Sequence, residues 1–209
     1  MNKNDDELTP EQRAHFNQAL DLEARGWGQD LFTVPFMMGR LLTSTPDEAR
    51  AALAEIRNML AEMSHAEELR FYCMGHPRTG EFIGYAVLYM PGADPESVSL
   101  QKIWIKRKFR GTGAGSGLIK VLLERHPVMT LICQPGLIPF YERLGFKTAG
   151  MYDAHKRPGA SPAAIIYAGC VMMFRADTYE HDGNLLMFAD VDLRRILAAM
   201  DSGNPEIRH

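Results

Sequence analysis

The sequence predicts an α/β (α+β) protein, one mixed sheet covered by helices, in a single domain over residues 1–209. Three observations carry that prediction. Two helix starts open the chain, at Thr9-Pro10-Glu11-Gln12 and at Thr45-Pro46-Asp47-Glu48. From about Leu69 the apolar residues change from helical spacing to the period of two that marks strands. A glycine-rich turn, Gly111 to Gly117, then joins a strand-like run to a helix-like one.

In the first helix Thr9 is the N-cap, Pro10 the first helical residue and Gln12 the third. Phe16, Ala19, Leu20 and Ala24 share a face, and Gly26 ends the pattern. The second helix has a full capping box and a stripe of Ala49, Ala52, Leu53, Ile56, Leu60 and Met63. Together they make an N-terminal helical segment, residues 1–66. Between them Leu31 to Leu42 is strongly apolar and fits either a strand or a buried turn of helix. Residues 69–74 and 81–90 read as strands joined by the turn Pro77-Arg78-Thr79-Gly80, a hairpin. Pro91 to Glu96 is a loop, and Val98 to Ile105 is a third strand. The helix after the glycine-rich turn carries Leu118, Ile119 and Leu122 inward. Val128 to Cys133 is a continuous apolar run, the pattern of a strand buried on both faces. Gly136 to Leu144 is a short helix with Leu137, Phe140, Tyr141 and Leu144 on one face, stopped by Gly145. Phe146 to Tyr152 and Ala164 to Phe174 read as the last strands. A final helix, about 190–201, turns Leu193, Ile196, Leu197 and Met200 inward.

Composition excludes several classes. With 46% hydrophobic and 23% charged residues the chain is globular and needs no disulfide or metal staple. A net charge of −3 gives no basic field, so no nucleic-acid partner is expected. Cys73, Cys133 and Cys170 are odd in number and widely spaced, which argues for buried structural thiols in a reducing compartment. No CxxC or Cys/His cluster suggests a metal. The polar, acidic start MNKNDDELTPEQ has no signal-peptide core, and no apolar run is long enough to span a membrane. A cytoplasmic chain without a membrane partner is expected.

The stretch Ile105 to Gly117 is the informative one. Backbone N–H groups of such a turn, with the first unpaired ones of the helix, converge on an anion. Glycine permits positive φ and close approach of a phosphate. Lys106, Arg107, Lys108 and Arg110 add charge beside it. A nucleoside-triphosphate loop requires GxxxxGK[ST], and Gly111 is followed five residues later by Ser116 without the lysine–hydroxyl pair. GxGxxG fails from Gly111, whose last position is Ser116, and from Gly113, whose last position is Leu118. On the glycines alone, a plain turn with solvated charges and a diphosphate site stay equally open.

Two segments carry a resemblance. Arg110-Gly111-Thr112-Gly113-Ala114-Gly115 matches the signature [QR]-x-x-G-x-[GA] of the Gcn5-related N-acetyltransferase (GNAT) superfamily. The approach Ile103 to Arg110 is similar to that superfamily's L-x-V-x-P-x-Y-R-G run, with Arg107 for proline and Phe109 for tyrosine. Gln134 to Phe146, QPGLIPFYERLGF, resembles its N-x-x-A-x-x-x-Y-E-K-x-G-F segment, with Gln134 and Gly136 replacing asparagine and alanine. The resemblance spans about residues 68–175. It implies a mixed, mostly antiparallel sheet splayed between its fourth and fifth strands and flanked by helices. It implies acetyl-CoA, or another acyl-CoA, with the pantetheine arm in the splay against the backbone of Ile103 and Ile105. It implies the pyrophosphate on Arg110, Gly111, Thr112, Gly113, Ala114 and Gly115, with Gln134 and Phe140 also on the cofactor side. Transfer to an amine acceptor would follow, with Tyr141 as the acid that protonates the leaving thiolate; a core aromatic is the bland alternative for Tyr141.

Relatives carry a carboxylate base at strand positions that fall here on Ser99 and Gln101, neither of which is a base. Glu81, Glu96, His76 and His155 are candidates through water, each equally readable as a surface residue. His65, His126 and His181 read as solvated, Met37-Met38 and Met172-Met173 as core, and Trp27 and Trp104 as core or pocket. The loop Ala154 to Ala163 and residues 26–45 are where an acceptor would be shaped. The last helix is a candidate homodimer face, and docking on its own sheet explains it equally well. A non-catalytic acyl-CoA-binding protein is the alternative function.

Overall fold

The computed structural model describes residues 8–90, 98–152, 162–175 and 188–203, with Phe36 by its backbone alone. Both predicted helix starts form reciprocal caps. Thr9 N–H donates to Gln12 Oε1 (3.0 Å) and Gln12 N–H to Thr9 Oγ1 (3.2 Å), opening α1, Pro10–Asp30. Thr45 N–H donates to Glu48 Oε2 (2.6 Å) and Glu48 N–H to Thr45 Oγ1 (3.2 Å), opening α3, Pro46–His65. The ambiguous apolar stretch is a 3-10 turn, Leu31–Thr33, followed by the helix α2, Pro35–Leu42.

The strands are β1 (Leu69–Gly75), β2 (Phe82–Tyr89), β3 (Val98–Ile105), β4 (Met129–Cys133), β5 (Lys147–Met151) and β6 (Val171–Arg175). They form one sheet in the order β1-β2-β3-β4-β6-β5. Every pairing is antiparallel except β3 with β4. Helix α4 (Ala114–Arg125) connects those two, which a parallel crossover requires. Helices α5 (Ile138–Glu142) and α6 (Asp190–Ser202) complete the elements.

Two compact units divide the chain. The first holds the start of α1 through Ala19, the whole sheet, α4 and α5. Its core lines Ala86, Leu88, Val98, Leu100, Met129 and Leu131 of the strands against Leu118, Ile119 and Leu122 of α4. On the β1–β3 side His15 and Phe16 of α1 meet Phe82 and Phe71, with ring centroids at 5.3 and 5.5 Å. The second unit holds the rest of α1, α2, α3 through Glu62, a 3-10 segment Pro162–Tyr167 and α6. There Trp27 packs against Phe188 with ring centroids at 4.6 Å, Arg40 bridges Glu48 and Asp201 at 2.8 Å each, and Arg195 bridges Glu55 and Glu62.

The structure revises several expectations. Gly26 does not end α1, which runs on to Asp30. A mid-helix glycine costs about 1 kcal/mol, and burial of Trp27 against Phe188 outweighs it. The strand predicted from Ala164 begins only at Val171, because Pro162 starts a 3-10 segment and Gly169 turns the chain at φ +77°. β4 is not buried on both faces: Met129, Leu131 and Cys133 are buried, whereas Thr130 and Ile132 are half-buried. Leu137 and Met38 are exposed, at 48% and 45%, rather than in the core. All three cysteines are free thiols, with Cys133 buried and Cys73 and Cys170 half-buried. Burial still pushes the Cys73 thiol up to about 12. Among the described residues no helix is long and apolar enough to cross a membrane, and no group of side chains could hold a metal ion.

Candidate functional site

The site begins with a strand pairing that stops. β3 and β4 share only three register pairs, Val98 with Met129, Ser99 with Thr130 and Leu100 with Leu131. Beyond Leu100, β3 continues to Ile105 bonded only to β2, and β4 continues to Cys133 bonded only to β6. The two strands therefore fork. A β-bulge marks the place: Leu88 opposes Leu100 and Val87 opposes Lys102, so the register steps over Gln101. A bulge bends its strand and adds twist, which carries β3 away from β4. These are the third and fourth strands of this chain, at the splay expected between strands four and five of the superfamily's count.

The bulge had a signal in the sequence. Leu100, Ile103 and Ile105 all face the α4 side, so the apolar spacing slips from two to three between Leu100 and Ile103.

At the open end of the fork β3 passes into a 3-10 turn, Arg107–Phe109, and then the glycine-rich turn. Gly111 and Gly113 have φ of +78° and +87°, the left-handed region that glycine enters at least cost. Gly113 is the N-cap of α4, with no side-chain cap. The first amide of the helix to find a backbone partner is Gly117, which donates to Gly113 O at 2.8 Å. The N–H groups of Ala114, Gly115 and Ser116 ahead of it are those a helix start leaves for an anion. A Cβ added at Gly111 or Gly113 would meet nothing within 4 Å. Residues 111–113 of the turn are exposed and residues 114–116 half-buried.

Gly115 ties this turn to the fork. A Cβ there would lie 3.6 Å from Ile105 Cγ1, 3.7 Å from Ile103 Cδ1 and 3.9 Å from Phe140 Cζ. Four predicted residues, Ile103, Ile105, Gly115 and Phe140, therefore meet at one point. Tyr141 adjoins it: its ring packs edge-on against Phe140 at 5.0 Å and Phe146 at 5.7 Å. The residue is 5% exposed, and burial, with Cys133 close by, holds its phenol above the usual value. Its carbonyl accepts the N–H groups of Leu144 (2.9 Å) and Phe146 (3.2 Å), which locks the end of α5.

Other predicted residues stand apart. Gln134 is exposed just beyond β4, where its carbonyl accepts Leu137 N–H at 2.9 Å. Arg110 Nε donates to Ile105 O at 2.8 Å, so one carbonyl expected to face a ligand is engaged by a side chain. Thr112 Oγ1 donates to Phe109 O at 2.8 Å. Lys106 and Lys108 both reach Glu81, at 2.9 and 2.5 Å, and hold its carboxyl below the usual range, Lys108 contributing most. Both carboxylate oxygens of Glu81 are thus engaged by lysines. His76 accepts Arg78 N–H at 3.4 Å and stacks on Phe109 at 6.4 Å. Ser99 is 1% exposed and accepts a hydrogen bond from Gln101 Nε2 at 3.0 Å. Glu96, His155 and His181 lie outside the described residues, as does the loop through residue 161.

Residues 36–146, more than half of the chain, match the Acetyltransferase (GNAT) family. The chain belongs to that family. Its members draw their acyl group from acetyl-CoA. No curated protein matches the chain. Among solved structures, a Corynebacterium glutamicum protein described as histone acetyltransferase HPA2 and related acetyltransferase is 17% identical, with TM-score 0.50 over 81% of this chain and 95% of that one. Escherichia coli ElaA is 22% identical, with TM-score 0.36 over 47% of this chain. A nourseothricin acetyltransferase is 19% identical, with TM-score 0.40 over 52%. The chain spans 64% and 65% of the lengths of those last two proteins. At 17% identity the likeness to the Corynebacterium glutamicum protein is one of fold.

Proposed function

We propose that this GNAT-family chain is an N-acyltransferase acting in the cytoplasm. It would transfer an acetyl or other short acyl group from acyl-CoA to a primary amine by direct attack on the thioester. In this proposal residues 1–209 act as one catalytic domain. The observation that carries it is the meeting of Ile103, Ile105 and Phe140 on Gly115 at the mouth of the β3–β4 fork.

The residues fit an acyl-CoA. The glycine-lined amides of residues 111–116 suit its pyrophosphate, and the edge of β3 beyond Leu100, where β4 no longer pairs with it, suits its pantetheine amides. When bound, acyl-CoA supplies an activated thioester. The chain's own contribution is position and a proton. Phe140 and Ile103 give the fork an apolar wall, and Tyr141 holds a proton on its hydroxyl at the base of that wall. Because burial raises this phenol, it stays protonated across the physiological range. A neutral phenol suits the departing thiolate, which takes one proton as the carbon–sulfur bond breaks and the carbon–nitrogen bond forms. The surplus proton of the amine leaves to water, and water returns one to the Tyr141 oxygen, so the hydroxyl is restored and no net proton is released.

Ser99 and Gln101, where a base would stand, favour a second reading: an acyl-CoA-binding protein without turnover. Incubation with acetyl-CoA and a panel of amines, following free thiol, separates the two. Amine-dependent thiol release is expected. CoA binding without release for every amine supports the second reading, and stabilisation by ATP or NAD but not CoA contradicts both.

A further inference from the structure

We propose that the tip of the β1–β2 hairpin, acting through Glu81, is a positioning element for the acyl donor; this rests on the acyltransferase reading above. Each carboxylate oxygen of Glu81 takes one lysine: Oε1 accepts from Lys106 Nζ and Oε2 from Lys108 Nζ. Lys106 is the N-cap of the 3-10 turn at residues 107–109 that delivers the chain into the glycine-rich turn, and Lys108 lies within it. A second contact runs parallel to the first. The His76 ring stacks on Phe109 at 26° between planes, and Lys108 Nζ sits 5.0 Å from the centroid of the Phe109 ring.

The tip is itself anchored. His76 N–H donates to Glu81 O at 2.7 Å, Gly80 N–H to His76 O at 2.9 Å, and His15 Nε2 of α1 lies 2.9 Å from Gly80 O. The main chain adds Lys106 N–H to Ile83 O at 2.8 Å. From the tip the contacts pass through Lys108 and Phe109 to Thr112, whose hydroxyl donates to Phe109 O, and Thr112 lies between the two left-handed glycines. The tip is held by these hydrogen bonds and the turn is exposed, so the clamp acts on the shape of the turn.

Exposed ion pairs contribute little to folding. The clamp's effect is therefore expected in ligand binding rather than in melting temperature. Its sign separates two accounts. Releasing Glu81 frees two cations near a polyanionic ligand, and simple attraction would then tighten binding. Loss of positioning would weaken it instead.

Titration of CoA by calorimetry into the full chain, the variants Glu81→Gln and Lys108→Met, and the double variant decides between them. The Kd for CoA rises about fivefold in each single variant and no further in the double, because both changes break one clamp. The melting temperature moves by less than about 2 °C. Unchanged or tighter CoA binding by Glu81→Gln, or additive losses in the double variant, overturns the proposal. Absence of CoA binding by the unaltered chain removes the acyltransferase reading itself, and the proposal with it.

Discussion

The two faces of β3 at the fork are made of different material. Toward α4, Leu100, Ile103 and Ile105 present apolar side chains, with Gly115 and Phe140 against the last two. On the other face Ser99 is buried and tied to the Gln101 amide, and Trp104 stacks on Tyr85 at 5.9 Å and Phe82 at 6.2 Å. The first face depends on backbone conformation and on side chains being small. The second depends on which functional groups stand there. A donor common to a whole family can be met by backbone, whereas an acceptor has to be met by side chains.

The largest expected effect falls on the first face. Tyr141→Phe keeps the ring that packs on Phe140 and Phe146 and removes only the proton. It lowers kcat about 10²- to 10³-fold while the Kd for CoA stays within about twofold. A matching loss of CoA affinity would make Tyr141 a packing residue instead. Gly113→Val comes next. A β-branched residue at φ +87° strains the N-cap and sends methyl groups into the space before the amides. CoA affinity falls about tenfold or more, about 1.4 kcal/mol or more, in a calorimetric titration.

On the second face the expected change is smaller and depends on pH. Gln101→Glu places a carboxylate beside Ser99, where it can take a proton from an incoming amine. Activity below about pH 7 rises a few-fold relative to the unaltered chain, and the pH–rate profile gains a shallower acid limb. An unchanged profile would take the acceptor away from this face.

The smallest effect lies away from the fork. His126, the C-cap of α4, shares a 3.2 Å hydrogen bond with the Tyr72 hydroxyl. Burial first, then the charges of Arg70 and Arg125, hold its imidazole below the usual value. The unfolded chain therefore binds the extra proton at a higher pH than the folded one. Stability is full above about pH 6.5 and falls as the pH drops toward the folded value. Melting temperatures between pH 5 and 7.5 should show that fall, and His126→Gln should flatten it.

The donor half of the fold was legible because each feature has a fixed spacing. Capping boxes, the hairpin turn, the Arg110–Gly115 signature and the FYERLGF segment all tie a residue type to a backbone position. The errors arose where packing overrode local preference. Gly26 looks like a stop, yet Trp27 beyond it is buried. Ala164 to Tyr167 is apolar enough for a strand, yet Pro162 and Gly169 bracket a 3-10 segment. Long-range pairing leaves no local trace either. Glu81 stands 25 and 27 residues before the two lysines it holds, so no local pattern in the sequence marks the pairing. The acceptor side has no spacing rule at all, since its chemistry varies with the substrate.

Backbone amide mapping by NMR during a CoA titration tests the central claim most directly. The resonances of Gly111, Gly113 and Gly115 are expected to move first and furthest, with Ile103 and Ile105 following, and ATP is expected to move none of them comparably. Saturable binding that leaves those three glycines unmoved would contradict it.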